Sequence, residues 1–265
     1  MDKLKYLIEY LLDESNTPKA YNKNFLMYRR LVNIREPRPI SDEYLKVENQ
    51  YLQEILKEKE VIDVKDIATI KEDGKSMLNN PDKICIYKGD ITKIKIDAIV
   101  NAANSQGLGC FAPVHNCIDN QIHTYAGVSL RLECKECMKT FDYKLSVSKC
   151  FITDGYNLPA RKIIHSVGPI VNVVLTDKLR RELSNTYINA LECAIENNVR
   201  TIAFPCISTG VFRFPKDEAS KIAIKAVDEL LINNREKIDK VVFITYEDKD
   251  YNYYKNNINK LYKIY

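Results

Sequence analysis

The sequence predicts an α/β domain with a largely parallel or mixed sheet, preceded by a helical cap. From residue 84 onward, short apolar runs typical of buried strands alternate with long amphipathic helical patterns. Before them, residues 1–80 carry apolar positions at helical spacing. The 265 residues are enough for one sizeable α/β core and a smaller appendage.

The cap shows three helical stripes, which begin around Leu4, Phe25 and Tyr44. Turn-forming residues concentrate between Asp73 and Asp82, so we place the boundary there, with a cap over residues 1–80 and the main domain over residues 81–265. In the main domain the pattern predicts strands at 84–87, 98–100, 149–153, 162–167, 201–205 and 240–246, and helices at 118–138, 178–197 and 216–233.

Charge and apolar patterning exclude several classes of function. Forty Lys and Arg residues against 36 Asp and Glu give a net charge of only +4, with no dense basic run, so we expect no nucleic-acid partner. No apolar run approaches the roughly 18 residues needed to span a membrane, and the N-terminus lacks the apolar core of a signal peptide. We therefore expect a cytoplasmic protein whose eight cysteines are reduced, some of them binding metal.

Three loops that follow predicted strands carry polar groups suited to a nucleotide. Ligands of such sheets bind beyond the carboxyl ends of the strands. Asp90 can accept a hydrogen bond from a base amine, Asn101 and Asn104 can bind sugar hydroxyls, and the turn at 208–212 offers successive backbone amides to a diphosphate, with Gly210 permitting close approach. Each has a plain alternative: an Asx turn at Asp90, ordinary loop asparagines, and a helix N-cap at the 208–212 turn.

A metal-binding pattern follows the second of these loops. Cys110, His115 and Cys117 lie within eight residues on a loop containing Gly and Pro. Two thiolates and one imidazole suit zinc, and three protein ligands leave a fourth position open, as in catalytic sites. The alternative is two buried cysteines and an unrelated histidine.

Several neighbouring residues are open to more than one interpretation. Asp119 begins the next helix, where capping and the helix dipole favour its ionised form, and where it can serve either as a cap or in catalysis. His123, four residues later, can be a fourth ligand, a partner of a ligand or a packed helix residue. We interpret the Cys134 and Cys137 pair as structural because it lies in a helical pattern, and the other cysteines as core, namely Cys85, Cys150, Cys193 and Cys206.

In their order along the chain, these motifs resemble the macrodomain family. The matching segments are Gly-Asp-Ile-Thr at 89–92, Asp-Ala-Ile-Val-Asn-Ala-Ala-Asn at 97–104, Gly-Tyr-Asn-Leu-Pro-Ala at 155–160, Ile-His-Ser-Val-Gly-Pro at 164–169 and Ile-Ser-Thr-Gly-Val-Phe at 207–212. The segment 109–123, Gly-Cys-Phe-Ala-Pro-Val-His-Asn-Cys-Ile-Asp-Asn-Gln-Ile-His, is similar to that of the zinc-dependent branch of the family.

The resemblance implies a three-layer α/β/α fold with a mixed sheet that binds ADP-ribose. It assigns Asp90 and Ile91 to adenine and Asn101 and Asn104 to the distal ribose, and it gives His165 a structural place. The residues that it places around the diphosphate are Ser208, Thr209, Gly210, Val211 and Phe212. It implies Zn²⁺ bound by Cys110, His115 and Cys117.

The implied activity is removal of mono-ADP-ribose from proteins, ester-linked at Asp or Glu, by hydrolysis at the ribose C1″. Asp119 would orient or deprotonate the nucleophile, and Asn104 would fix the ribose. The family also suggests a macrodomain-linked sirtuin as functional partner and a glycine-cleavage-H-like lipoyl carrier as substrate. Two other functions stay open: a non-catalytic ADP-ribose reader, and a hydrolase of O-acetyl-ADP-ribose.

Overall fold

The computed structural model describes residues 2–16, 22–74 and 76–261. Residues 1, 17–21 and 75 of the predicted cap and residues 262–265 of the predicted main domain lie outside the described residues. The helices are α1 (Lys3–Glu14), α2 (Phe25–Ile34), α3 (Asp42–Glu58), α4 (Ile70–Asp73), α5 (Ile118–Ala126), α6 (Val128–Met138), α7 (Asp177–Glu196), α8 (Lys216–Ile232) and α9 (Asp248–Ile258). The strands are β1 (Ile62–Asp63), β2 (Ile84–Lys88), β3 (Ile94–Lys95), β4 (Ala98–Ala103), β5 (Cys150–Asp154), β6 (Lys162–Val167), β7 (Thr201–Phe204) and β8 (Lys240–Thr245).

The central sheet has six strands in the order β2-β8-β7-β4-β6-β5. All neighbouring pairs are parallel except β5 and β6, which are antiparallel. The mixed sheet predicted from the sequence is therefore confirmed. Because β2, β4, β6 and β7 run in the same direction, the loops that follow them meet at one edge.

Side chains alternate between the two faces of the sheet, and each face is covered by helices. Val241 and Phe243 of β8 pack with α7, α8 and α9, whereas Val242 and Ile244 pack with α5 and α6. Both faces of the central strands are thus buried, which explains why these strands are almost continuously apolar in sequence. The result is the predicted three-layer α/β/α arrangement.

Helices α1, α2 and α3 form a separate apolar cluster that includes Leu7, Tyr28 and Tyr44 and that reaches α6 through Val128. Residues 62–74 and 76–78, which the sequence pattern assigned to the cap, pack differently. Strand β1 pairs with β3, Val64 packs with the α5 and α6 layer, and Leu78 packs with the opposite layer. The apolar cluster of the extension is therefore formed by α1, α2 and α3, and the domain boundary near residue 80 stays a prediction.

The single helix predicted over residues 118–138 is wrong, because the chain breaks at Gly127. Gly127 has a φ of +91°, which L side chains rarely adopt, and a Cβ there would lie 2.7 Å from Glu48 Oε2. The same oxygen accepts a hydrogen bond of 2.9 Å from the Val128 amide at the start of α6. The extension thus caps α6 with a buried carboxylate, which requires glycine at the break.

Glu48 also accepts hydrogen bonds from Tyr28 Oη at 2.8 Å and Tyr44 Oη at 3.2 Å. Burial raises the pKa of Glu48 to about 7, and the bonds from the Val128 amide and the two hydroxyls oppose this rise.

Among the described residues, no helix is long and apolar enough to cross a membrane.

We predict that Glu48→Gln changes the pH dependence of stability. The folded protein holds the Glu48 proton more tightly than the unfolded chain, so the free energy of unfolding of the wild type falls as the pH rises from 4.5 to about 7. At about 1.4 kcal/mol per pKa unit, the loss is on the order of 3 kcal/mol. Urea unfolding at pH 5 and pH 8 measures the free energy of unfolding of both proteins. Relative to the wild type, the Gln variant should be more stable at pH 8 than it is at pH 5. A difference that moves toward the wild type would contradict this description of the carboxylate.

Candidate active site

The loop between β4 and α5 brings together the three side chains predicted to bind metal. The Cys110, His115 and Cys117 ligand atoms lie within 4.8 Å of one another, and each residue is only partly buried. Val114 has a φ of +52°, an uncommon conformation for a β-branched residue, and turns the chain just before His115. The loop thus folds back on itself and gathers ligands that span eight residues of sequence.

The donor set fits a tetrahedral zinc ion. Bond lengths of about 2.3 Å to sulfur and 2.1 Å to nitrogen, at a tetrahedral angle, separate the two donors by about 3.6 Å. Cys110 Sγ and His115 Nδ1 are 3.6 Å apart. Burial raises the pKa of Cys117 to about 12, and the neighbouring Cys110 and Asp119 add to the rise, so a cation is needed to hold the Cys117 sulfur as a thiolate.

Asp119 lies in the first turn of α5, but it does not cap the helix. The N-cap is Cys117, whose Sγ accepts from the Asn120 amide at 3.4 Å. The capping role considered for Asp119 is therefore wrong, because its side chain points instead to the end of β4. Asn101 Nδ2 donates to Asp119 Oδ1 at 2.7 Å, and Asn104 Nδ2 lies 3.5 Å from Oδ2.

The environment of Asp119 also opposes the expected preference for the ionised form. Asp119 is only 4% exposed, and burial raises its pKa to about 6, against the lowering effects of the Asn101 bond and the Arg131 charge. A carboxyl group with a pKa near neutrality, beside a candidate metal site, is suited to exchange a proton.

The structure places Asn101 differently from the sequence prediction. Asn101 has no exposed surface, so it cannot contact a ribose in this conformation, and its amide donates to Asp119 and to His165 Nδ1, 3.1 Å away. Asn104 is only partly buried and also donates to the Gly109 carbonyl at 3.1 Å. Of the two asparagines, Asn104 is the one that a ribose can reach, and Asn101 positions Asp119.

A second group of potential ligands is buried in the protein. His123, Cys134 and His165 have ligand atoms within 4.8 Å of one another. His123 thus groups with these residues and not with the loop ligands, and its ring nitrogens have no hydrogen-bond partner among the described residues. Burial is the main cause that lowers the pKa of His123, and the nearby Arg131 charge lowers it further. The same Arg131 charge would repel a cation bound at this group. We interpret His123 as a packed helix residue.

His165 has the structural position expected from the sequence. It stacks on Phe151 with ring centroids 4.7 Å apart, and its Nε2 lies 3.0 Å from Thr153 Oγ1. Burial lowers the pKa of His165 to about 3, so the ring is neutral and can accept from Asn101 at Nδ1.

The loop after β2 forms the Asx turn that was the alternative for Asp90. Asp90 Oδ1 accepts from the Thr92 amide at 2.9 Å and from Thr92 Oγ1 at 2.7 Å. Ile91 is buried in the layer of α5 and α6. The turn engages Oδ1 of Asp90, and adenine recognition by Asp90 and Ile91 stays a prediction.

The turn at 208–212 follows β7. Ser208 has a φ of +65°, and its carbonyl accepts from the Phe214 amide at 2.9 Å. Gly210 and Val211 are exposed at the tip, Thr209 and Phe212 are partly buried, and the Phe212 carbonyl accepts from the Val171 amide at 2.9 Å. The predicted helix after this turn begins at Lys216.

Two residues in contact with the metal loop were missed by sequence reasoning, Arg29 and Asn120. The Arg29 guanidinium donates to Asn120 Oδ1 and to the His115 carbonyl. Arg29 and Asn120 are 91 positions apart, and no pattern in the sequence connects them.

The fold and this edge of the sheet define an α/β/α domain with a candidate Cys₂His metal site. Comparison with known proteins gives the family. Residues 100–223 match the Macro domain family. The chain is 43% identical to a protein-ADP-ribose hydrolase of Staphylococcus aureus strain MRSA252, over 97% of this chain and 96% of the relative. The chain belongs to the macro domain family, as its motifs predicted.

Two further similarities extend over most of the chain. A protein-ADP-ribose hydrolase of Treponema medium is 40% identical, over 92% of this chain and 94% of the relative. The crystal structure of the Trypanosoma brucei macrodomain in complex with ADP-ribose superposes with a TM-score of 0.65 at 26% identity, covering 86% of this chain and 94% of that chain.

We predict that Gly168→Ala destabilises the 208–212 turn. A Cβ at Gly168 would lie 2.1 Å from Ser208 Oγ and 2.6 Å from Ile207 Cγ2, so these two side chains must move, at a cost of about 1–3 kcal/mol. Gly210→Ala is the matched control, since a Cβ there has nothing within 4 Å and should change stability by less than about 0.5 kcal/mol. Equal unfolding midpoints in urea for the two variants would show that the contact at Gly168 is not restrictive.

Proposed function

We propose that this protein is a zinc-dependent hydrolase that removes ADP-ribose from modified proteins. The observation that carries the proposal is the juxtaposition of Cys110, His115 and Cys117 with a buried carboxyl group, Asp119, two residues beyond the last ligand. Two relatives named protein-ADP-ribose hydrolases, similar over nearly the full chain, support the same activity.

ADP-ribose binding is supported by the loops at the sheet edge. In our proposal the turn at 208–212, with Gly210 and Val211 exposed at its tip, offers backbone amides to the diphosphate, and Asn104, which is only partly buried, offers an amide near the metal loop. The similar Trypanosoma brucei macrodomain was crystallised with ADP-ribose. In our proposal the nucleotide lies across these loops, with its distal ribose toward Asn104 and Asp119.

When bound by Cys110, His115 and Cys117, zinc supplies Lewis-acid chemistry that activates water or polarises an oxygen of the substrate. Asp119 orients or deprotonates the nucleophile, because its carboxyl group has a pKa near neutrality and is fixed by Asn101. Asn104 holds the ribose so that the C1″ bond faces this carboxyl group.

The finer parts of the proposal rest on the sequence resemblance to the zinc-dependent branch. They are a mono-ADP-ribose ester at Asp or Glu, a lipoyl carrier as the modified protein, and a sirtuin as the enzyme that adds the group. Action in the cytoplasm stays an expectation from the apolar patterning of the sequence.

A non-catalytic reader is the main competing function. A reader needs the turn at 208–212 but has no use for a buried carboxyl group beside three metal ligands, since that arrangement costs desolvation without contributing contacts to the nucleotide. A hydrolase of O-acetyl-ADP-ribose would use the same pocket, and a direct comparison of the free nucleotide with an ADP-ribosylated protein distinguishes the two.

We predict that the hydrolase needs its metal. Removal of zinc with a chelator should abolish release of ADP-ribose from an Asp- or Glu-modified protein, and added zinc should restore it, because the metal provides the Lewis acid. Cys110→Ser should behave like the stripped wild type and should not be restored by zinc. Full turnover by the zinc-free protein would contradict the proposal that hydrolysis depends on zinc.

We predict that Asp119→Asn lowers kcat about 10²- to 10⁴-fold while ADP-ribose affinity changes by less than about threefold, because the amide keeps the shape but cannot take a proton. Single-turnover kinetics and isothermal titration with ADP-ribose measure the two quantities. A variant that retains kcat would exclude Asp119 from proton transfer, and no turnover by the zinc-loaded wild type, with binding intact, would favour the reader.

A further inference from the structure

We propose that Arg29 of helix α2 is a positioning residue for the metal site: together with Asn120 it holds the Cys110, His115 and Cys117 loop in its ligand-ready conformation. The inference rests on the proposed function, because it assumes that this loop binds zinc. It assigns to the N-terminal helical extension a role in the site on the α/β domain.

Asn120 is the centre of this arrangement, because it contacts two of the three ligand residues. Its amide nitrogen Nδ2 donates to the Cys110 carbonyl at 3.4 Å and to the Ala112 carbonyl at 2.8 Å. Its backbone amide donates to Cys117 Sγ at 3.4 Å. With no exposed surface, Asn120 is fixed in one place and transmits that position to the loop.

Arg29 orients Asn120 and contacts the third ligand residue. Its Nε and Nη2 donate to Asn120 Oδ1 at 3.0 and 2.9 Å, a forked arrangement that fixes which end of the amide faces the loop. The same Nη2 donates to the His115 carbonyl at 2.6 Å. Arg29 and Asn120 together therefore hydrogen-bond to all three residues that carry the candidate ligands.

The Arg29 guanidinium is itself fixed in position, so it can hold the loop in place. Arg29 is 8% exposed, and the Gln121 amide can accept from the guanidinium at 3.0 and 3.2 Å when its oxygen is turned toward it. Within the described residues Arg29 makes no ion pair, and its Nε and Nη2 donate to the Asn120 amide oxygen and the His115 carbonyl.

Helix α2 is itself anchored to the α5 and α6 layer at other points. Asn33 Nδ2 donates to Thr124 Oγ1 at 2.7 Å, and Arg131 Nη1 donates to the carbonyls of Val32 and Asn33 at 3.0 and 2.8 Å. Arg131 also packs over the Phe111 ring of the metal loop, 4.3 Å from its centroid. Losing Arg29 alone should therefore leave α2 docked and free only the loop.

The test uses the full-length protein with Arg29→Met, which keeps the apolar stem and removes the donors. The matched control is Thr124→Val, an isosteric change that removes the hydrogen bond from Asn33 of α2 to α5. It also removes the bond of 2.7 Å from Thr124 Oγ1 to the Asn120 carbonyl, but it leaves every contact of the Asn120 side chain with the loop and with Arg29 in place. Arg29→Lys, with a single donor group, is a second variant in case the methionine variant does not fold. The readouts are the zinc dissociation constant by competition with a chromophoric chelator, the visible spectrum of the Co²⁺ form, and urea unfolding of the metal-free protein.

We expect Arg29→Met to weaken zinc binding about 10- to 100-fold and to change the Co²⁺ spectrum, as loss of groups that orient metal ligands does in other sites. Arg29→Lys should fall between the methionine variant and the wild type. Thr124→Val should destabilise the metal-free protein but keep the zinc affinity within about threefold and the Co²⁺ spectrum unchanged.

Two results would overturn the inference while leaving the proposed function intact. One is an unchanged zinc affinity and Co²⁺ spectrum in Arg29→Met. The other is an equal loss of zinc affinity in Arg29→Met and Thr124→Val that tracks their loss of stability, which would mean that the extension acts only through global stability. A wild-type protein that binds no zinc at all would overturn the metal site and, with it, the role of Arg29.

Discussion

The hydrogen bond between Asn101 Nδ2 and Asp119 Oδ1, 2.7 Å long, joins the end of strand β4 to the first turn of helix α5. The metal loop is the segment between these two points, so this contact fixes where both of its ends lie. It also buries a carboxyl group, whose desolvation cost is reduced by the Asn101 amide and the Arg131 charge. The proposed chemistry depends on this balance between burial and hydrogen bonding. A fully solvated Asp119 would have the ordinary pKa of a carboxyl group, and a buried Asp119 without these partners would stay protonated.

The helical extension serves the same site from the other side. Its apolar cluster is largely separate from the two layers around the sheet, yet it reaches the α/β domain through buried polar contacts. Glu48 caps α6, and Arg29 fixes Asn120. Buried polar groups need partners with defined geometry, so these contacts specify how the extension docks more strictly than an apolar interface would.

The sequence predicted most of the fold because periodicity and strand burial follow directly from local pattern. Strands β6 and β8 lie close to the predicted ranges, and so does helix α8. The break at Gly127 was missed because its cause, Glu48, lies 79 positions away in sequence. Helix α9 was missed because its buried face includes Asp250 and Asn257, which a hydrophobic pattern does not register.

The candidate site was also predicted only in part from the sequence. The gathering of Cys110, His115 and Cys117 could be predicted because all three lie on one short loop. The burial of Asn101, the grouping of His123 with Cys134 and His165, and the contacts of Arg29 could not, since they depend on packing between distant segments.

The central claim is that zinc is bound by this loop, and zinc K-edge X-ray absorption of the purified, zinc-loaded protein tests it most directly. The account predicts two sulfur scatterers at about 2.3 Å and nitrogen or oxygen scatterers at about 2.0–2.1 Å, with one sulfur lost in the Cys117→Ser variant. A shell without sulfur, or one left unchanged by that substitution, would contradict it.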